Sequence, residues 1–320
     1  MRVQVQWRNA AWDRFPFTAR MDRVKITDIQ PHTPVLIAGP TASGKSALAL
    51  RIAREQGGTI INADALQVFD GWRILTARPD EDDLRAAPHA LYGHVPVDQP
   101  YSVGDWLRDL DALPRDSRPI IVGGTGLYFA ALTEGLAAIP PIPPDVRTAA
   151  DALARDAMLA DLDAATTAQI DVLNRARVQR AWEVWTATGR SIVDWQRDTP
   201  PPRLPLDQVK AFVLDAPKDW LTPRIAQRFD QMLEQGLLDE ARAMRPKWDP
   251  SHPSSKAIGA PEIIAHIDGA LSLDDTRDAV IIATRQYAKR QRTWFRRRMS
   301  NWAWIAASSA SLSASIPLVD

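Results

Sequence analysis

The chain has 320 residues, 45% hydrophobic and 24% charged, enough to bury a large core in one domain or two coupled ones. Thirty-nine Lys and Arg balance 39 Asp and Glu, so a nucleic-acid partner would have to be met by local patches, not a global field. No cysteine is present, which excludes disulfides, thiolate chemistry and cysteine-ligated zinc, and no apolar run nears a membrane span; a cytoplasmic protein is expected.

Residues 1–22 begin with a segment, Met1 to Arg20, that holds Arg2, Arg8, Arg14 and Arg20 with one acid, Asp13, and no apolar secretory stretch. They are read as a disordered extension, or as a start assigned upstream of Met21; an organelle presequence is the alternative. Val35-Leu36-Ile37-Ala38 is a short apolar run entering a Gly-rich loop, and helix-favouring residues follow from Ala47 to Ala53. Further apolar runs, Thr59 to Ala63, Pro119 to Val122 and Val209 to Leu214, end at Asp64, at Gly123-Gly124-Thr125-Gly126 and at Asp215. Short apolar strands alternating with helices predict an α/β fold, a P-loop NTPase-like parallel sheet flanked by helices. Ligands of such sheets bind beyond the carboxyl ends of the strands, so the loop, Asp64 and Thr125 should gather at one edge.

Two proline-dense breakers, Ile139 to Pro144 and Thr199 to Pro205, bracket a stretch that reads as helices. The expected helices are Asp145 to Leu162, Thr166 to Ile170, and Leu173 to Thr188 closed by Gly189. This predicts an all-helical insertion, 140–205, in a discontinuous catalytic domain of 23–139 and 206–307, with 308–320 a tail. Beyond the fourth strand, helices are expected over Thr222 to Glu240, with Pro223 in its first turn, and over Ala279 to Met299.

Gly39-Pro40-Thr41-Ala42-Ser43-Gly44-Lys45-Ser46 is a full Gly-x-x-x-x-Gly-Lys-Ser pattern between a strand and a helix, a strong signal for a diphosphate cradle. Glycines let backbone N–H groups close on phosphate oxygens, Lys45 adds a charge, and the Ser46 hydroxyl can ligate Mg2+. ATPases and GTPases usually place a second acid for Mg2+ at the end of another core strand. Here the third strand ends in glycines and threonine, and Asp64 is the strand-end carboxylate close behind the loop. It could hold metal in a small-molecule kinase, accept a proton from a nucleophile, or merely cap a helix. Arg285, Lys289, Arg292 and Arg296 share a stripe of the last helix, suited to a phosphate backbone or simply to solvent. Arg177 and Arg180 make a second basic patch beside Trp182 and Trp185, both read as core. His89 and His94 lack a cluster that would suit a metal.

The chain resembles the tRNA dimethylallyltransferase family of isopentenyl transferases from about Val35 to Trp304. The carriers are the P-loop, Asn62-Ala63-Asp64-Ala65-Leu66-Gln67-Val68-Phe69, Thr76-Ala77-Arg78-Pro79, Gly123-Gly124-Thr125-Gly126-Leu127-Tyr128, Arg177 to Glu183, Ile258-Gly259, and Thr284 to Gln291. The resemblance implies a P-loop that holds the diphosphate of dimethylallyl diphosphate instead of ATP, with Mg2+ at Ser46, and prenyl transfer to N6 of adenosine 37 in tRNA. It implies Asp64 as the proton acceptor, and Thr41 and Arg228 along the reaction channel. Implied tRNA contacts are Asp64, Ala65, Leu66 and Gln67; Thr125; Arg147; Ala176, Arg177, Val178, Gln179 and Arg180; and Lys256, Ala257, Ile258, Gly259, Ala260 and Pro261. A monomer is expected. Departures from the family pattern are Ala65 for serine, Phe69 for tyrosine, Asp70 for a basic residue, and Gly259-Ala260-Pro261 for Gly-Tyr-Lys. The rival classes are a small-molecule kinase, which would turn over ATP, and a non-catalytic RNA binder, which would leave Lys45 and Asp64 idle.

Overall fold

The computed structural model describes residues 29–308; the N-terminal extension and nearly all of the expected tail lie outside the described residues. The chain runs β1 (Val35–Ala38), α1 (Lys45–Gln56), β2 (Thr59–Asn62), α2 (Glu81–Ala86), β3 (His89–Ala90), α3 (Val103–Ala112), β4 (Pro119–Gly123) and α4 (Gly126–Glu134). Five helices follow: α5 (Pro144–Ala152), α6 (Arg155–Ala160), α7 (Ala164–Gln169), α8 (Arg175–Thr188) and α9 (Ile192–Arg197). The chain then continues through β5 (Lys210–Asp215), α10 (Lys218–Glu234), α11 (Leu237–Met244), α12 (Ala260–Ile267), α13 (Leu273–Arg298) and β6 (Ala303–Ala306).

All six strands are parallel, in the order β3-β2-β4-β1-β5-β6. The four longer apolar runs form the middle of the sheet, as their sequence pattern predicts. Val35–Ala38 is buried at every position, because helices cover both faces of a parallel sheet. β3 and β6 escape the sequence reading: one is two residues long, and the other, Ala-Trp-Ile-Ala, keeps every residue at least partly exposed. Among the described residues, no helix is long and apolar enough to cross a membrane.

The chain divides into two compact units, one of residues up to Phe129 and from Leu206 onward, the other Ala130–Pro205. The division falls inside α4, earlier than the proline run that sequence alone suggests. The returning segment explains why: the Leu204 N–H donates to the Leu132 carbonyl at 3.1 Å, and Gly135 abuts the Pro200 carbonyl. The second unit has its own core of Ala150, Met158, Val178 and Trp182.

Several expected helices are cut differently. The helix expected over Asp145 to Leu162 is two, because Arg175 Nη2 donates to the carbonyls of Ala150, Asp151 and Leu153 and so ends α5. The one expected over Thr222 to Glu240 begins at Lys218 and breaks at Gly236 (φ 93°), where α11 starts. Pro223 therefore lies inside α10, not in its first turn, and cannot donate to the Asp219 carbonyl. α13 starts at Leu273, six residues early, on a Ser272 cap that accepts from the Asp275 N–H. Gly189 closes α8 in the left-handed conformation (φ 65°), as expected.

Candidate active site

The loop after β1 is shaped by its glycines. A Cβ on Gly39 would lie 2.7 Å from Ser43 Oγ and 3.2 Å from Leu214 Cβ, so only hydrogen fits. Ala42 (φ 61°) and Gly44 (φ 87°) are left-handed, which turns successive peptide units and concentrates N–H groups on the concave side. Gly44 caps α1 without any side-chain bond. The first intrahelical bond runs from the Leu48 N–H to the Gly44 carbonyl, so the amides of Lys45, Ser46 and Ala47 precede the ladder and face an incoming anion. Three loop amides are already engaged: Gly39 N–H with the Gly123 carbonyl at 3.4 Å, Ser43 N–H with the Pro40 carbonyl at 3.2 Å, and Thr41 N–H with Gln291 Oε1 at 2.9 Å. The Ser43 hydroxyl is fully buried without a partner.

Asp64 stands two residues beyond β2. The Asn62 side chain fixes its backbone from both sides, accepting from the Asp64 N–H at 2.8 Å and donating to its carbonyl at 3.0 Å. One carboxylate oxygen, Oδ1, accepts from the Leu66 N–H at 3.0 Å, which leaves Oδ2 beside Gly124. Thr125, past the end of β4, accepts from the Ala65 N–H at 2.9 Å.

Thr41, Ala42, Lys45, Asp64, Leu66, Gln67, Arg228 and Ile258 line one cavity of roughly 730 Å³ including its open mouth. Leu75, Thr76, Ile225, Phe229, Met232, Val280, Thr284 and Tyr287 complete the wall. Ile225, Arg228, Phe229 and Met232 recur at helical spacing on one face of α10, so the guanidinium sits in an apolar stripe. Phe229, Met232, Leu75 and Val280 also belong to a packed core, and that wall is closed behind.

Lys45, Asp64 and Arg228 interact electrostatically. Burial pushes the Lys45 ammonium down to about 8, with Asp64 opposing the shift and Arg228 adding to it. Burial also lowers Arg228, again opposed by Asp64. Two cations against one carboxylate leave the cavity positive, which favours a polyanion. Burial, with Asp64 second, holds Tyr287 above the ordinary phenol range, so it remains a neutral hydrogen-bonding group. Among the described residues, no group of three or more His, Cys, Asp or Glu side chains is placed to hold a metal.

The cavity's outer loop is tied down. Glu240 on α11 accepts from the consecutive N–H groups of Arg73, Ile74 and Leu75 at 2.7, 2.8 and 3.0 Å. Gln67 Nε2 donates to the carbonyls of Thr76 and Ala77, each at 2.8 Å.

A family model described as IPP transferase matches residues 67–298, and one described as isopentenyl transferase matches 33–91. The tRNA dimethylallyltransferase of Dinoroseobacter shibae is 59% identical over 291 residues, covering 89% of this chain and 98% of that one. That of Paracoccus denitrificans is 56% identical over 291 residues, covering 88% and 96%. The chain belongs to the IPP transferase family. A solved tRNA isopentenylpyrophosphate transferase from Bacillus halodurans, 30% identical, matches with a TM-score of 0.59 over 86% of this chain and 90% of that one. A eukaryotic dimethylallyltransferase, 23% identical, shares the fold with a TM-score of 0.73 over 88% of this chain and 75% of that one.

In this IPP transferase the residues singled out from sequence divide into three groups. The first is the cavity lining already described. The second is occupied elsewhere. Val178, Ala257 and Ala260 are packed in cores and present no side chain to RNA, and Gly259 (φ 92°) is buried against Val280 and Leu75. Thr125 spends its side chain on neighbouring backbone, as does Gln67 although it also lines the cavity, and Gln179 bonds Arg175, Asp151 and Glu183. The third is exposed: Lys256, Pro261, Ala176, Arg147 and Arg177, with Arg180 half-buried. Within the helical unit, Arg177 reaches Asp171 at 3.7 Å and Arg180 reaches Glu183 at 3.8 Å. Trp182 is core, its Nε1 donating to Asp161 at 2.8 Å, but Trp185 is 40% exposed, contrary to expectation. Leu75, Phe229, Met232, Glu240 and Gln291 were missed. The apolar spacing around Arg228 could have shown Phe229 and Met232; the others are joined to the site only by the fold.

Proposed function

We propose that this chain transfers the dimethylallyl group of dimethylallyl diphosphate to N6 of adenosine 37 in tRNA, acting as a monomer in the cytoplasm. The observation that carries the reading is one cavity with two characters. Lys45, Arg228 and the α1 amides make one side cationic, and Leu75, Ile225, Phe229, Met232 and Val280 make the other apolar. An allylic diphosphate has the same division.

In the transfer, the bond between N6 and the allylic carbon forms as the bond from that carbon to the diphosphate oxygen breaks. The electron pair leaves with the diphosphate, where Lys45, Arg228 and the loop amides offset the growing charge. Thr41 lines the same channel. Asp64 accepts the N6 proton, and Oδ2 is the oxygen free of the Leu66 bond that holds Oδ1. Ser46, exposed in the first turn of α1, would hold Mg2+ through its hydroxyl, a hard oxygen donor, since such an ion needs few protein ligands when phosphate and water supply the rest. The ion would add positive charge at the leaving group. The target base has to leave its stack at a cost of a few kcal/mol. Arg147, Arg177 and Arg180, on the helical unit, are the proposed phosphate contacts that offset it, with Ala176, Lys256 and Pro261 as further RNA-facing positions.

The test is incubation with labelled dimethylallyl diphosphate and an anticodon stem-loop bearing adenosine 37. Label should reach the RNA without consumption of ATP. Phosphorylation of a small molecule by ATP, with no label in RNA, would move the protein to the kinases.

A further inference from the structure

Gln291 lies on α13, yet its side chain is 5% exposed and both ends of its amide are used. Oε1 accepts the Thr41 N–H at 2.9 Å and Nε2 donates to the Gly124 carbonyl at 3.0 Å. One residue thereby joins the P-loop to the end of β4. Gly124 has no side chain, and a Cβ there would collide with Gln291 Nε2 and come within 3.1 Å of Asp64 Oδ2. The amide of Gln291 and the carboxylate of Asp64 thus flank the same point. One turn earlier on α13, Tyr287 lines the cavity.

We propose that Gln291 is a positioning residue: by holding the Thr41 amide and the Gly124 carbonyl together, it fixes the diphosphate loop at a set distance from the Asp64 carboxylate. The Thr41 N–H belongs to this link and not to the phosphate cradle. The cradle's donors are the amides further along, of Lys45, Ser46 and Ala47. A buried amide with both ends bonded has one orientation, and a loop held by it is organised before the ligand arrives, so less ordering is left for binding to accomplish. The inference rests on the proposed diphosphate role of the loop, and inorganic pyrophosphate probes that loop without requiring prenyl transfer.

Residue-resolved amide exchange of the wild-type chain, with and without pyrophosphate, is the first measurement. The Thr41 amide should already exchange slowly in the free protein and stay unchanged, while the amides of Lys45, Ser46 and Ala47 slow on addition. A Thr41 amide that exchanges freely alone and becomes protected by pyrophosphate overturns the proposal. Gln291→Met removes both hydrogen bonds at similar volume, and Gly124→Ala displaces the same amide from the other side. Each should weaken pyrophosphate binding roughly tenfold, because ordering of the loop is then left for binding to accomplish. Each should also lower kcat with little change in the KM for tRNA, a split that a merely structural role would not produce. Normal pyrophosphate affinity in either folded variant overturns the proposal. Protection and weakened binding as described, in a protein that transfers no prenyl group to RNA, would leave this inference standing and remove the proposed function.

Discussion

Asp64 and Lys45 make opposite demands on the folded chain. Asp64→Asn keeps the side chain's size and its bond to the Leu66 N–H but cannot take a proton at neutral pH. Single-turnover rates should fall roughly 10²- to 10⁴-fold while both KM values stay near wild type. Partial recovery on raising Mg2+ would instead make Asp64 a metal ligand. Lys45 is held at about 8, below its ordinary 10.5, so between those values the unfolded chain binds the proton more tightly. Stability therefore rises with pH across that window, and below about 8 the full cost of the buried ammonium is present. Lys45→Met should melt higher than wild type at pH 7 without ligand, and the gap should narrow by pH 9.5, although turnover is lost. Both residues were legible because their spacing is local: eight contiguous residues make the loop, and Asp64 ends a strand. Gln291 was not, since its partner Thr41 is 250 residues away and a glutamine in a basic helix carries no sign of burial.

Longer segments show what anchors the cavity's edges. The Arg73–Ala77 loop has no regular structure to hold Leu75 and Thr76 in place, and Glu240 does so through three consecutive N–H groups. Glu240→Gln turns one acceptor oxygen into a donor facing an N–H, which should cost about 1–3 kcal/mol. A lowered melting temperature with a raised KM for dimethylallyl diphosphate would show that the loop shapes the site; an unchanged KM would confine Glu240 to stability. On α8, Arg177 and Arg180 make only long ion pairs at 3.7 and 3.8 Å, which leaves both cations available. Replacing both by alanine should weaken tRNA binding and flatten its logarithmic salt dependence by a slope of about two, as two fewer counterions are released. An identical slope would return them to a solvated surface. The helix breaks at Leu153 and Gly236 were hidden for different reasons. An Arg175 capping distant carbonyls is a tertiary event, whereas Gly236 was a signal in plain view, overridden by the helix formers on either side.

The chain folds as two separately cored units. Met158 is fully buried in the small helical core, and Met158→Ala should cost about 2–5 kcal/mol there. Amide exchange should quicken across α5 to α8, tRNA binding should weaken, and pyrophosphate affinity should stay at its wild-type value. A parallel loss of pyrophosphate binding would show that the units do not stand apart energetically. Proline density announced the insertion, but where it begins depends on Leu204 returning to Leu132, a pairing that composition does not encode. The sheet order has a further consequence, for synthesis on the ribosome. β1, apolar and buried throughout, pairs Val35 with Ile120 on one side and with Lys210 on the other. Once β4 has emerged, β3, β2, β4 and β1 can assemble, but the other edge of β1 stays open until the intervening helical unit has been translated. At about 5–20 residues per second that is several seconds to roughly 20 s. An apolar strand with unpaired amides is a template for pairing with other chains. The insertion that would grip the RNA therefore lengthens the interval in which the nascent protein is most open to aggregation, and slow passage through β5 codons should lower the soluble yield.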